Sequence, residues 1–418
     1  MAQVYDVIIF GASGFTGKHV VKEALKFVSP DSPIKTLALA GRNSTKLTEA
    51  LKWAAPYHPD VPILIADSSN QPSLRRMASQ ARLVLNCVGP YRLHGDPVVD
   101  ACVEAGCDYL DICGEPEFME RMEAVYYDKA VEMGSLVVSA CGFDSVPAEL
   151  GLMFNSMQWV SPAVPNRVEA YVQLESTKRI VGNFATYESA IPGYAPPPRG
   201  FEVEHQKKIG LWGIKLPSAD ASIIRRTLSF LAEYPSGLEG GYEDPKHAEK
   251  RATFWSQIKP AHFGVKMATK TRLGLQLFIA VGTIIGRLSS SPLGRWLLLT
   301  FPAVCTFGLF KKNGPTAAEV AGGSFKMWFV GHGFSDASRV SGEPDMEVVT
   351  RIKGPEIGYV TTPIILIQCA LILLKQRGDL PNGGVFPPGI VFGPTDLQSR
   401  LQKNGISFEV ISKSAISA

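Results

Sequence analysis

The chain has 418 residues, enough for two or three domains with a sizeable core, and 45% of them are apolar. Only 19% are charged, which excludes a disordered chain, and 42 basic against 39 acidic residues exclude the concentrated field of a nucleic-acid binder. Seven cysteines form no C-x-x-C pair and read as reduced thiols, and the first residues lack the regions of a secretory signal, so an intracellular, non-secreted protein is expected.

From residue 4 to about 145, β-branched runs at 4–10, 36–40, 63–66, 83–88, 109–112 and 136–139 alternate with helix-period stretches at 18–27, 44–55, 72–80, 97–105 and 117–133. Such alternation requires right-handed crossovers, hence an N-terminal Rossmann domain over 1–150, a doubly wound parallel sheet covered on both faces. After about 150 the period changes. Val168, Ala170, Val172 and Leu174 alternate with Glu169, Tyr171, Gln173 and Glu175, and 325–329 and 346–352 repeat the pattern. A second, α+β domain with a largely antiparallel sheet is expected over 151–355, serving substrate binding or dimerisation. Residues 356–418 are expected to pack back on the core, with 364–374, apolar all round, as a buried helix. The stretch 191–200 reads as an irregular loop.

Two apolar runs, 273–286 and 296–310, lie between Lys270 and Arg272 on one side and Lys311 and Lys312 on the other. Each is shorter than the ~20 residues of a spanning helix. The insert 270–312 is therefore either a hairpin dipping into one lipid leaflet or packing within the core or a homodimer interface.

Gly11-Ala12-Ser13-Gly14-Phe15-Thr16-Gly17 follows the first strand and opens a helix. Its glycines let backbone N–H groups approach a pyrophosphate, and the helix N-terminus adds its positive end. A Walker A loop is excluded, because Gly11 stands one residue too far from Gly17-Lys18 and His19 replaces the magnesium-binding hydroxyl. The second strand ends in Gly41-Arg42 with no acid before Glu49, so the 2′-phosphate of NADP is favoured over the ribose hydroxyl of NAD. Asp67, Asn86, Val88, Gly89 and Pro90 stand at further strand ends and complete the expected cofactor set. Tyr91, Asp111 and Asp144 are the candidate catalytic residues, with His94 and Glu115 as further polar groups there. No metal site is expected: H-E-x-x-H is absent, as is the G-x-S-x-G of a hydrolase.

The segments F-G-A-S-G-F-T-G (10–17), A-G-R (40–42), L-N-C-V-G-P-Y (85–91), D-I-C-G-E (111–115), G-F-D-S-V-P-A (142–148) and K-G-P-E-I-G-Y-V-T-T-P (353–363) resemble the saccharopine dehydrogenase-like oxidoreductases. The resemblance implies nicotinamide-dependent reduction. The namesake enzymes reduce an imine formed by glutamate, other relatives are bacterial trans-acting enoyl reductases, and eukaryotic members reside on lipid droplets, mitochondria or other membranes. The expectation is an NADP-dependent reductase of a C=C, C=O or C=N bond in a lipophilic small molecule, at the cytosolic face of a membrane or droplet. The alternatives are a nucleotide-binding scaffold without turnover and a true saccharopine-type imine reductase.

Overall fold

The computed structural model describes residues 3–56, 61–190, 203–215, 218–340 and 342–416, so the expected loop at 191–200 lies outside the described residues. In chain order the elements begin β1 (Tyr5–Phe10), α1 (Phe15–Ala24), β2 (Leu37–Gly41), α2 (Ser44–Ala54), β3 (Ile63–Ile65), α3 (Gln71–Ala78) and β4 (Ala81–Asn86). Next come α4 (Tyr91–His94), α5 (Asp96–Glu104), β5 (Asp108–Asp111), α6 (Pro116–Met133), β6 (Leu136–Val138) and α7 (Val146–Ser156). The middle of the chain forms β7 (Val164–Ser176), β8 (Gly182–Asn183), α8 (Phe184–Ala190), β9 (Val203–Gln206), β10 (Leu211–Lys215), α9 (Ala219–Glu233) and α10 (Pro245–Ser256). It continues with β11 (His262–Thr269), α11 (Arg272–Ser289), α12 (Pro292–Thr300), α13 (Pro302–Cys305), β12 (Phe310–Lys311) and α14 (Ala317–Ala321). The last elements are β13 (Gly323–Phe334), β14 (Met346–Pro355), α15 (Thr362–Lys375), β15 (Gly384–Phe386), α16 (Pro388–Phe392), α17 (Leu397–Lys403) and β16 (Ser407–Ala415).

One compact unit comprises Met1–Leu150, Arg225–Gln257 and Gly358–Asn404. Its sheet has seven parallel strands in the order β15-β6-β5-β4-β1-β2-β3. Val7–Phe10 and all of β2 are buried, as a parallel sheet covered on both faces demands. The six expected strands are present within a residue or two, and β15 adds a seventh beside β6. The helix α15 is buried from Thr362 to Leu374 and packs on α1, which is why that segment is apolar on every side.

The second unit comprises Gly151–Ile224, Ile258–Ile357 and Gly405–Ala418. Its seven-stranded sheet runs β16-β14-β13-β7-β11-β10-β9, antiparallel except for the β7–β11 pair. Val168, Ala170 and Val172 share a buried face with Met327, Phe329 and Ile352, as the alternation implies. Gly151 on α7 lets that face approach, for a Cβ there would stand 2.0 Å from Phe329 Cζ. The units interleave more than three consecutive ranges divided at 150 and 355. Residues 225–257 belong to the first unit, where Arg226 Nε donates to Glu123 on α6 at 2.8 Å. Residues 405–418 belong to the second unit, because β16 pairs with β14.

Within the second unit α11 and α12 form a helical hairpin. Thr271 and Ser291 cap the two N-termini through their side chains, and Gly294 permits the sharp turn, where a Cβ would lie 2.0 Å from Leu288 O. Only 22% of α11 is buried, against 83% of the more apolar helical stretch Ile357–Lys375. The hairpin is therefore not a core element of its unit.

Candidate functional site

The strand order of the first unit reverses between β1 and β4, and in such sheets ligands bind in the crevice beyond the carboxyl ends of those strands. Gly11 turns there with φ +82°, and a Cβ on it would lie 2.7 Å from Val88 Cγ2 at the end of β4. A Cβ on Gly17 would stand 2.1 Å from Gly11 O, so only glycine allows α1 to start this close to the loop. Ser13 and Gly14 are exposed, and Phe15 and Thr16 are half-buried in the first turn. The α1 N-cap is Gly14, with no side-chain cap and no acid in the first turn, whereas Asn43 and Asn70 seal the starts of α2 and α3. Unlike those two, the α1 N-terminus is left open towards the crevice, a ready anion site.

Arg42, just past β2, is exposed and makes no ion pair among the described residues. At the end of β3 the Asp67 carboxylate accepts Ser69 N at 2.9 Å and Ser69 Oγ at 2.8 Å. Those bonds hold it below the ordinary carboxylate range, with Arg42 and His94 adding smaller favourable fields. Gly89 is exposed after β4 and joins Pro90 through a cis peptide. The residues singled out for the cofactor thus gather at the ends of β1 to β4. Asn86 and Pro90 among them are buried, whereas the others offer what a dinucleotide with an extra phosphate would use: an uncapped helix end, a cradle any Cβ would fill, and a guanidinium without an ion pair among the described residues.

Tyr91 and Asp111 are in the same region but are turned inward. Tyr91 is buried, its hydroxyl donates to Asn86 O at 2.8 Å, and burial raises its pKa. Asp111 has no exposed surface; it accepts Cys113 N at 2.9 Å, Ala140 N at 2.8 Å, Tyr109 Oη at 2.9 Å and Ser139 Oγ at 3.0 Å. Burial lifts its pKa to about 6 against the pull of those donors. Asn86 joins the network by donating to Tyr109 Oη at 3.0 Å and accepting Val88 N at 2.9 Å. Ala140, held by Asp111, sits at φ +64°, a conformation that costs a non-glycine residue energy and persists only when its surroundings enforce it. In this geometry Tyr91 and Asp111 brace the loops after β4, β5 and β6 and do not face solvent. Of the three catalytic candidates only Asp144 is exposed, with a carboxyl raised above its ordinary range by the protein mass around it.

Two carboxylates carry more structure than their sequence suggested. Buried Glu115 accepts Tyr91 N at 2.8 Å, Arg92 N at 3.1 Å and Arg92 Nε at 2.9 Å, clamping the start of α4 beside the crevice. Glu149, not singled out in the sequence, is buried in α7 and accepts Ser145 Oγ at 3.0 Å, Gly389 N at 2.9 Å and Thr227 Oγ1. Its pKa is pushed up by burial to about 7. A lone carboxylate in the apolar run 146–153 was the available signal. The 353–363 segment also reaches this region: Tyr359 meets the Phe15 ring edge-on at 4.9 Å, and Thr362 Oγ1 accepts Phe143 N at 3.1 Å.

Two other features of this unit lie apart from the crevice. A recess of about 270 Å³ lined by Arg82, Asp108, Tyr242, Arg377 and Asn382 opens near the amino ends of β4 and β5, and its Arg377 is already paired with Asp108 at 2.7 Å. Asp244, His247 and Asp379 bring ligand atoms within 4.8 Å of one another, a group the motif reading did not foresee. Both ring nitrogens of His247 already face carboxylates, at 3.0 Å and 3.4 Å.

The saccharopine dehydrogenase NADP-binding domain family matches residues 7–138, the stretch that builds this crevice. An Arabidopsis thaliana protein, "Probable mitochondrial saccharopine dehydrogenase-like oxidoreductase", is 58% identical over 98% of this chain and 97% of its own. The chain belongs to the saccharopine dehydrogenase-like oxidoreductase family. A "Lipid droplet localized protein" of Caenorhabditis elegans is 34% identical over 98% of this chain and 99% of its own. Apo saccharopine dehydrogenase (L-Glu forming) from Saccharomyces cerevisiae shares the fold, with a TM-score of 0.57 at 9% identity over 98% of this chain and 100% of that one. The family carries an NADP-binding domain, and the open helix end and free Arg42 are what such a domain requires.

Proposed function

We propose that this chain is an NADPH-dependent reductase of a C=C, C=O or C=N bond in a lipophilic or amphipathic small molecule presented at a lipid surface. The first turn of α1 takes the pyrophosphate on its backbone N–H groups, Arg42 takes the 2′-phosphate, and Val88, Gly89 and Pro90 flank the nicotinamide end. Bound NADPH supplies the hydride. Asp144, the exposed one of the three candidates, is the group that passes on the proton completing the reduction. Tyr91, Asp111 and Glu115 are positioning residues that keep the crevice loops in register.

The observation that carries the lipid half of this reading is the exposed hairpin. Leu273, Leu277, Ile284, Leu293, Trp296, Phe301, Val304 and Phe307 all face solvent. Residues 270–312 contain six Lys or Arg and no acid. Lys270 and Lys311 are paired with Glu175 and Glu319, while Arg287 and Arg295 make no ion pair among the described residues. A cation near an anionic headgroup contributes about 1 kcal/mol. Arg287 and Arg295 flank the turn, so the hairpin is charged at both ends and is suited to lie flat in the interface, not to dip tip-first. A monolayer-bounded droplet or the cytosolic face of a membrane, mitochondria included, offers such a surface.

The test supplies the full chain with NADPH and long-chain enones, ketones or imines in anionic vesicles. The reading expects the protein to float with the vesicles, to release as salt rises, and to consume NADPH with at least one substrate class. NADPH binding without turnover on any class would favour the scaffold instead, and turnover of glutamate with aminoadipate semialdehyde alone would assign a saccharopine-type reaction.

A further inference from the structure

Behind the hairpin, within the second unit, lies an apolar cluster formed by Tyr187, Ile285 and Leu298, with Phe184, Val281, Leu288, Leu299, Cys305 and Phe310 packed against it. Tyr187 is 2% exposed, stacks obliquely on Phe310 at 5.0 Å between centroids, and its hydroxyl has no hydrogen-bond partner among the described residues. The neighbouring Cys305 thiol donates to Leu297 O at 3.7 Å and makes no bond to that hydroxyl. Buried hydroxyls are almost always paired, because an unpaired one loses its water without compensation. A phenylalanine would fill this cluster without that loss, so a tyrosine here asks for a group to bond.

From this geometry we infer that the seam between α8 and the α11–α12 hairpin is a binding site for a neutral amphiphile. The apolar chain lies along the cluster, and one uncharged acceptor, a ketone, ester or enone oxygen, takes the hydrogen bond of Tyr187. The inference rests on the lipophilic-substrate reading above and narrows its substrate class. Three features set that chemistry. Burial raises the Tyr187 pKa, so its hydroxyl remains a donor. The side chains packed around Tyr187 are apolar, and Lys312 stands over the Phe184 ring at 5.8 Å with no bond to the Tyr187 hydroxyl, so a neutral acceptor suits that hydroxyl better than a carboxylate or phosphate. The outer residues of the same two helices are those a lipid surface would take up, and hairpin movement at that surface opens the seam to molecules dissolved in it.

The experiment uses the full chain and a long-chain ketone isotopically labelled at its carbonyl carbon, carried by cyclodextrin so that no membrane is needed. Infrared spectroscopy reads the carbonyl stretch, and calorimetry reads affinity, for wild type and Tyr187→Phe. The expected result is a carbonyl band moved to lower frequency by the wild type only. Affinity should fall about three- to tenfold in the variant, whose unliganded thermal stability is equal to or above wild type. Equal affinity and an identical carbonyl band in both proteins would overturn the inference, as would a less stable variant, which would show that the hydroxyl is already bonded. Vesicle flotation of both proteins separates this outcome from failure of the lipid-surface reading, which would leave the wild type unbound to vesicles whatever the ketone does.

Discussion

Replacing Glu149 with Gln is expected to stabilise the protein at neutral and mildly alkaline pH, and by an amount that depends on pH. Raising this carboxyl from 4.5 to about 7 corresponds to about 3 kcal/mol of preference for the protonated form in the folded state. Because the folded pKa lies above the unfolded one, the associated stability is fully present below pH 4.5 and is lost as pH rises through 7. Glutamine mimics the protonated state: its carbonyl can accept Ser145 Oγ and Gly389 N while its amide faces the Thr227 hydroxyl, which can turn to accept. His19 works in the opposite sense. Burial lowers its pKa from 6.5 to about 4, so its contribution is present above 6.5 and is lost as pH falls. The difference between variant and wild type cancels His19. Thermal denaturation of both across this range should give a gap near zero at low pH, growing to about 3–6 °C on the alkaline side of the transition. A gap independent of pH, or a variant less stable than wild type on the alkaline side, would show that the network holds the ionised carboxylate and would refute the reasoning.

Gly17→Ala is expected to weaken NADPH binding by at least about tenfold, measured by calorimetry. Its Cβ would start 2.1 Å from Gly11 O, so the first turn of α1 must move by roughly 1 Å from the loop it supports. Glu115→Gln is expected to cost about 1–3 kcal/mol in denaturant unfolding and to weaken NADPH in the same titration, because an amide cannot accept all three N–H groups from Tyr91 and Arg92.

The Rossmann half was legible because each strand is a short buried run and each loop after it is short. Periodicity and the glycine spacing therefore located both the sheet and the crevice. Long-range assembly was less legible. Nothing local marks 384–386 as a strand that joins β6, or 407–415 as the edge of the other sheet, since those pairings are decided by partners more than 50 residues away. The direction of side chains was hidden for a related reason. Tyr91 and Asp111 stand at strand ends where functional groups often gather, and only the tertiary structure shows that Asn86, Tyr109 and Ser139 occupy them. Composition located the two apolar runs of the hairpin but could not separate burial from exposure, because apolar runs serve both. The resolved exposure of Leu273 and Val304 separates them.

The most direct test of the account is the nucleotide preference and its dependence on Arg42, by calorimetric titration of NADPH and NADH into wild type and Arg42→Glu. A charge-assisted contact to the 2′-phosphate is worth about 1.5–3 kcal/mol, so wild type should bind NADPH at least about tenfold more tightly than NADH. The variant should reverse that order, since a carboxylate repels the phosphate and accepts the ribose hydroxyl. Equal affinity of wild type for both nucleotides, or a preference for NADPH that survives Arg42→Glu, would contradict the central claim.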